Sequence, residues 1–343
     1  MGLKVGIIGY GYWGPNLVRN FHNLDDCEIV GIADKDIKQQ ENVRKAYPTI
    51  RVYSEAEDLI LSKECNAIVI ATPVSYHFEI ALKALQNKKH VLIEKPIVTS
   101  VDQLYQLIEV AQKNGCVIMV DHTFLYNGAV RKIKQVTQQQ DFGAILNIDT
   151  VRINLGIIQH DTNVLWDLAC HDLSVINYLV DQKPYSVQVN GISHLKSGIE
   201  NIAYLTLKYE NDLIVHIHVS WSSPVKIRRM LIGGEHKMIV YDDIEPTDKL
   251  KIYEKNFTHI SDQEKHDVLV DYRLGDVLIP KFNLAEPLSL MVKDFYNAVM
   301  HQKEPIANWK SGLNVVSILE QAQRSLKHNG VEVKIDLWDN LGQ

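Results

Sequence analysis

The chain has 343 residues, room for two domains at about 100 to 200 residues each. Its 42 acidic and 36 basic residues leave a net charge of −6, so there is no global basic field to attract nucleic acid or an anionic membrane surface. With 46% hydrophobic and 23% charged residues the composition is globular, and apolar runs such as Ala67 to Ala71 fall far short of the roughly 20 residues a membrane helix needs.

The chain opens directly on an apolar strand, Leu3 to Ile8, without a basic leader or a small-residue cleavage site. The four cysteines, Cys27, Cys65, Cys116 and Cys170, are widely spaced with no CxxC pair. Both features point to a cytoplasmic protein with neither a disulfide framework nor a zinc knuckle.

In the first third, short β-rich runs alternate with longer helical stretches. The strand-like runs are Lys4 to Ile8, Glu28 to Ala33, Ala67 to Ala71, His90 to Ile93 and Val117 to Val120. Continuous apolar runs separated by crossover-length segments predict a parallel, doubly wound α/β sheet covered on both faces. The helical period appears in Ser75 to Asn87, with Ile80, Ala81, Ala84 and Leu85 on one face, and in Val101 to Ala111.

Beyond Asp121 the rhythm changes. A helix near Ala129 to Gln138, a strand near Leu146 to Ile153 and a helix near Leu165 to Leu179 precede a train of strands: Ser186 to Ile192, Ile202 to Tyr209, Leu213 to Val219, Val225 to Ile232 and Lys237 to Tyr241. Short turns such as Glu210-Asn211-Asp212 imply antiparallel neighbours, hence an α+β domain on a large, mostly antiparallel open sheet. The predicted domains are residues 1–121 for a dinucleotide and 122–343 for substrate and oligomerisation. Residues 260–287 read as a long, irregular connection, and Leu288 to His301 and Leu313 to Leu326 as amphipathic helices.

Gly9-Tyr10-Gly11-Tyr12-Trp13-Gly14 follows a strand and opens a helical stretch, the context in which a GxGxxG turn sets a pyrophosphate on a helix N-terminus. Asp34, 20 residues beyond Gly14 at the end of the second strand, suits an adenosine ribose and repels a 2′-phosphate, which favours NAD over NADP. The plain alternative is a glycine turn followed by a capping aspartate. Ala71-Thr72-Pro73 with His77, and Glu94-Lys95-Pro96, end two further strands where an open α/β sheet binds its ligand. A lysine there can stabilise a developing alkoxide beside a nicotinamide, although a lysine such as Lys95, taken alone, is more often a surface residue at a turn.

Asp167 and His171 stand four apart in a helical stretch, so they share a face. Histidine can take a hydroxyl proton near neutral pH and a carboxylate can hold its ring, while a surface ion pair or cap is the structural alternative. Asp172 reads as a supporting group. His216 and His218 share a strand face without a third ligand at suitable spacing, so no metal site is expected. Arg228 and Arg229 fit a solvated strand end better than a phosphate site.

Together, Gly9-x-Gly11-x-x-Gly14, Ala71-Thr72-Pro73-x-x-x-His77, Glu94-Lys95-Pro96 and Asp167-x-x-x-His171 resemble the glucose-fructose oxidoreductase/inositol dehydrogenase (Gfo/Idh/MocA) family along almost the whole chain. The resemblance implies that Lys95, Asp167 and His171 form the catalytic group. It also places Tyr12, Trp13, Thr72, Pro73, His77, Glu94 and Lys95 with Gly9, Gly11, Gly14 and Asp34 around NAD. The family's Asp-Ile-Gly-x-His stands here as Asp167-Leu-Ala-Cys-His171, and its glycine-rich lead-in as Asn163-Val164-Leu165-Trp166, which alters the substrate pocket.

Asp121-His-Thr-Phe-Leu-Tyr-Asn127 and Trp166-Asp-Leu-Ala-Cys-His-Asp172 are similar to a bacterial subgroup that oxidises nucleotide sugars, the 3-dehydrogenases of UDP-N-acetylglucosamine and of its uronic acid in surface-polysaccharide synthesis. The expected substrate is therefore a small-molecule sugar or nucleotide sugar, with a free sugar, inositol or an anhydro-ketose as the alternative. A non-catalytic NAD(H)-sensing protein is the reading from another class, and it would need none of Lys95, Asp167 and His171. Apolar and aromatic candidates on the open sheet, Tyr204, Leu205, Ile217 and Trp221, lead with the resemblance to a homodimer or homotetramer.

Overall fold

The computed structural model describes residues 2–156, 161–194, 198–254 and 275–335. The chain divides into two compact units: Met1–Asn127 with Ala285–Glu320, and Gly128–Leu284 with Gln321–Gln343. A single cut at 121 therefore does not describe the division, because residues 285–320 return to the first unit.

In the first unit, strands β1 (Leu3–Ile8), β2 (Cys27–Ala33), β3 (Val52–Tyr53), β4 (Ala67–Ile70), β5 (His90–Ile93) and β6 (Ile118–Val120) form one parallel sheet in the order β3-β2-β1-β4-β5-β6. All four residues of β4 are buried, which explains the uninterrupted apolar run: helices cover both faces of such a sheet. The crossovers carry α1 (Gly14–His22), α2 (Ile37–Ala46), α3 (Ala56–Ile60), α4 (His77–Gln86) and α5 (Val101–Asn114). Gly115, at φ 66°, supplies the left-handed residue that ends α5. Helix α8 (Pro287–His301) joins this unit because Phe295 meets Phe21 edge-on, with centroids 6.2 Å apart, and Asp294 accepts the Tyr126 hydroxyl at 2.6 Å.

The second unit begins with α6 (Gly128–Thr137), β7 (Ile145–Leu155), a π-helical turn (Leu165–Ala169) and α7 (Cys170–Leu179). The helix predicted from Leu165 to Leu179 is thus two joined pieces. There follow β8 (Ser186–Ile192), β9 (Ile202–Lys208), β10 (Ile214–Ser220), β11 (Ser222–Gly234), β12 (Lys237–Asp242), β13 (Leu250–Glu254) and β14 (Val277–Leu278). Helix α9 (Trp309–Lys327) ends in this unit, and β15 (Val333–Lys334) closes a nine-stranded sheet ordered β14-β13-β12-β11-β7-β10-β9-β8-β15. Its neighbours are antiparallel except β7 and β10, which run parallel. Of the connection predicted over 260–287, residues 260–274 lie outside the described residues.

Strict alternation along β9 and β10 separates the two faces of this sheet. Leu205, Leu207, Val215, Ile217 and Val219 are fully buried, whereas Tyr204 is 45% exposed. Of the four residues expected on the open face, only Tyr204 lies there. Leu205 and Ile217 fall one residue out of phase with it, and Trp221, past the end of β10, is buried.

Candidate active site

The glycine turn is built for close approach. Gly9 sits at φ 98°, and a Cβ there would come within 2.5 Å of the Ala71 carbonyl oxygen. A Cβ on Gly14 would strike the Gly9 carbonyl, yet one on Gly11 would meet nothing, so the middle glycine borders free space where a phosphate can approach. Helix α1 starts here with a proline in its first turn and no side-chain cap. Pro15 brings no N–H and the Asn16 amide already donates to the Trp13 carbonyl at 2.9 Å, so what this helix end offers an anion is chiefly the positive end of its dipole.

Beside this turn lies a cavity of about 610 Å³ whose lining includes Gly9, Gly11, Asp34, Thr72 and Pro73. Asp34 is anchored rather than loose: its Oδ2 accepts the Tyr10 amide at 2.6 Å and its Oδ1 the Asp36 amide at 2.8 Å. Each oxygen keeps a second lone pair for a ribose hydroxyl. Ile80, predicted on the core face of α4, is half-buried and borders the same cavity. These residues fit NAD.

The other residues assigned to the cofactor are not among those lining this cavity. Tyr12 is 85% exposed, and Trp13 turns its indole to Asp121, donating to Oδ2 at 2.9 Å. His77 is fully buried and bridges two loops, with Nε2 2.8 Å from the Thr72 carbonyl and Nδ1 3.0 Å from the Pro96 carbonyl. It holds the ends of β4 and β5 together rather than lining the cavity. Lys95 follows β5, is half-buried, and donates its amide to Glu94 Oε2 at 3.1 Å.

Two residues beside Lys95 escaped assignment as site residues. Asp121 and His122 follow β6, next to β5, and are 3% and 2% exposed. Burial, ahead of the nearby Lys95 charge, pushes the His122 imidazole down to about 4 against a smaller opposing pull from Asp121, so the ring is neutral at neutral pH. Burial first, and the Asp121 carboxylate second, hold the Glu94 carboxyl well above the usual carboxylate range. The signal in the sequence was the Asp-His pair closing an apolar run at the same sheet edge as Lys95.

In the second unit, Asp167 lies in the π-helical turn and His171 in the first turn of α7. Such turns recur at functional sites because they re-aim side chains. This one is tied down: Asn163 Oδ1 accepts the amides of Leu165 and Trp166 at 3.2 and 3.4 Å, and Asn163 Nδ2 donates to Gln323 and Glu200 at 2.9 Å. Trp221 Nε1 donates to Asp167 Oδ2 at 2.9 Å and so fixes the carboxylate. Asp172 turns away from His171 to grip Arg152 of β7 in a two-pronged buried ion pair, both contacts 2.9 Å.

The remaining candidates have structural partners. His218 stacks on Tyr204 with centroids 4.4 Å apart, and His216 lies 6.2 Å from the same ring. Among the described residues no cluster of three or more His, Cys, Asp or Glu side chains could hold a metal. Arg228 and Arg229 pair with Asp243 and Asp242. Among the described residues no helix is long and apolar enough to cross a membrane.

A six-stranded parallel sheet in the 3-2-1-4-5-6 order, with a glycine cradle and an anchored carboxylate at its carboxyl edge, defines a dinucleotide-binding protein. The chain belongs to the Gfo/Idh/MocA oxidoreductases. Residues 3–122 match the family model "Oxidoreductase family, NAD-binding Rossmann fold", and residues 130–240 match the "GFO/IDH/MocA C-terminal domain". NAD is its cofactor class.

The chain is 25% identical over 295 residues to the 2,7-anhydro-N-acetylneuraminate hydratase of Escherichia coli K12, covering 80% of this chain and 77% of that protein. It is 24% identical over 329 residues to the UDP-N-acetylglucosamine 3-dehydrogenase of Acidithiobacillus ferrooxidans, covering 94% of this chain and 96% of that enzyme. A solved structure of the latter enzyme superposes with a TM-score of 0.82 at 21% identity, covering 96% and 99% of the two chains, a likeness of fold.

Proposed function

We propose that the protein is an NAD-dependent sugar dehydrogenase that oxidises the C3 hydroxyl of a UDP-N-acetylhexosamine or of its uronic acid, in bacterial surface-polysaccharide synthesis. The observation that carries the nucleotide-sugar reading is the likeness to a UDP-N-acetylglucosamine 3-dehydrogenase across 94% of this chain and 96% of that one. Tethering of Asp167 by Trp221, and placement of Lys95 at the carboxyl edge of the parallel sheet, support catalysis over sensing.

Gly9, Gly11, Gly14 and Asp34 hold the dinucleotide, with Thr72 and Pro73 beside them. Bound NAD supplies the hydride acceptor. His171 takes the hydroxyl proton with Asp167 positioning its ring, and Lys95 orients the hydroxyl and stabilises negative charge on its oxygen. In the ketone-reducing direction the same groups return the proton. His171→Ala should lower turnover by about 10² to 10⁴-fold, the loss typical of a general base, while NAD binding by fluorescence stays unchanged. Turnover near wild type would remove His171 from this role.

The protein is cytoplasmic and assembles as a homodimer or homotetramer through the open face around Tyr204. A monomer by light scattering at micromolar concentration would contradict that assembly.

A further inference from the structure

Glu94, Lys95, Asp121 and His122 lie at the carboxyl ends of β5 and β6, where the pairing of Ile93 with Val120 and the Asp121 amide bonded to the Ile93 carbonyl at 2.8 Å bring Glu94 and Asp121 side by side. Asp121 is satisfied as a carboxylate: Trp13 Nε1 donates to Oδ2 at 2.9 Å, and the Thr123 hydroxyl donates to Oδ1. Glu94 is different. Its Oε2 accepts the Lys95 amide at 3.1 Å, while its Oε1 is buried without a hydrogen-bond partner among the described residues.

A bare carboxylate oxygen buried next to a second carboxylate carries both a desolvation cost and like-charge repulsion. A proton on Oε1 removes both and makes Glu94 a donor toward Asp121. His122 offers no alternative donor to either carboxyl, since both its ring nitrogens are buried without partners.

We propose that Glu94 and Asp121 share a single proton and act as one monoanionic carboxyl pair that positions the Lys95 ammonium, with Trp13 tying the pair to the glycine turn. Both carboxyls are positioning residues. A hydrogen-bonded chain then runs from Trp13 through Asp121 and Glu94 to the Lys95 amide, so the dinucleotide cradle and the lysine are held in one register. The functional meaning rests on Lys95 acting on the substrate oxygen; the shared proton does not.

The test is infrared spectroscopy of the full-length protein without substrate. Wild type at neutral pH should show the carbonyl stretch of a protonated carboxyl group, and Glu94→Gln should abolish it. Trp13→Phe, which deletes a donor to the anion, should raise the pH at which the band is lost.

With a turned-over substrate, Asp121→Asn should lower kcat on the order of 10²-fold, the cost of mispositioning a reacting group, with KM for NAD little changed. It should also move the alkaline limb of the kcat profile to lower pH, because Lys95 loses its counter-charge. A neutral-pH spectrum without a Glu94-dependent band, a Trp13→Phe titration identical to wild type, or an unmoved alkaline limb in Asp121→Asn would overturn the proposal. The spectra need no substrate, so an incorrect substrate assignment leaves them intact.

Discussion

Asp172→Asn isolates the force that fastens α7 to the nine-stranded sheet. The Asp172 and Arg152 side chains are 6% and 7% exposed, and the guanidinium makes two contacts of 2.9 Å to the carboxylate. Asparagine keeps the volume but leaves a buried cation facing an amide, a change that costs about 3–5 kcal/mol in such pairs. Asp243, which also acts on Arg152, offsets part of this and sets the expectation near the lower end, about 3 kcal/mol. At about 2–4 °C per kcal/mol for a unit of this size, the second unit should melt roughly 6–12 °C lower. Tryptophan fluorescence reports it, since Trp166 and Trp221 both lie in that unit. Replacing both partners with apolar residues, as in Arg152→Met/Asp172→Leu, should restore most of the loss because no unpaired charge remains. A drop below about 2 °C, or a double variant no better than the single one, would refute the reasoning.

Trp221→Phe keeps the ring but removes the charge-assisted donor to Asp167, worth about 1.5–3 kcal/mol, so kcat should fall on the order of 10-fold with unchanged NAD affinity. Steady-state kinetics giving wild-type kcat would exclude Trp221 as a positioning residue. His122→Phe should remove an acid sensitivity. With the folded imidazole near 4 and its unfolded value 6.5, the unfolded state binds the proton, and stability present above pH 6.5 is lost as pH falls toward 4. Between pH 7.5 and 5 wild type should lose about 2 kcal/mol relative to the variant in urea unfolding, and parallel pH profiles would contradict this. Asp34→Ala deprives two backbone amides of their acceptor and the cavity of its ribose partner. KM for NAD should rise at least about 10-fold, and an unchanged value would displace Asp34 from the cofactor site.

The first unit was the more legible in sequence because two-sided burial leaves an unmistakable trace: β4 is apolar and buried throughout, β1 and β5 are so beyond Lys4 and His90, and the glycine turn follows β1. Two-residue strands such as β3 and β15 carry too few side chains for any period. The return of residues 285–320 to the first unit rests on contacts such as Phe21 with Phe295, which no local pattern encodes. Trp221 shows the limit most clearly. Aromatic character placed it on an exposed face, but its position after the strand end turns the indole onto Asp167. Asp121 and His122 were visible only as a phrase of the subgroup, since their importance comes from the lateral neighbour β5. The i, i+4 spacing put Asp167 and His171 on one helix face but gave no sign of the π-helical turn from Leu165 to Ala169.

The most direct measurement is NADH formation, followed by its near-ultraviolet absorbance, when purified protein with NAD receives UDP-N-acetylglucosamine, its uronic acid, myo-inositol or glucose, each with and without 2-oxoglutarate. The predicted result is NADH from a UDP-sugar alone, or keto-acid reduction that depends on that sugar, with the 3-keto product identified by mass spectrometry. Turnover confined to inositol or glucose would contradict the nucleotide-sugar assignment while keeping the oxidoreductase, and NAD binding with no turnover of any of the four would contradict the assignment and favour the sensor.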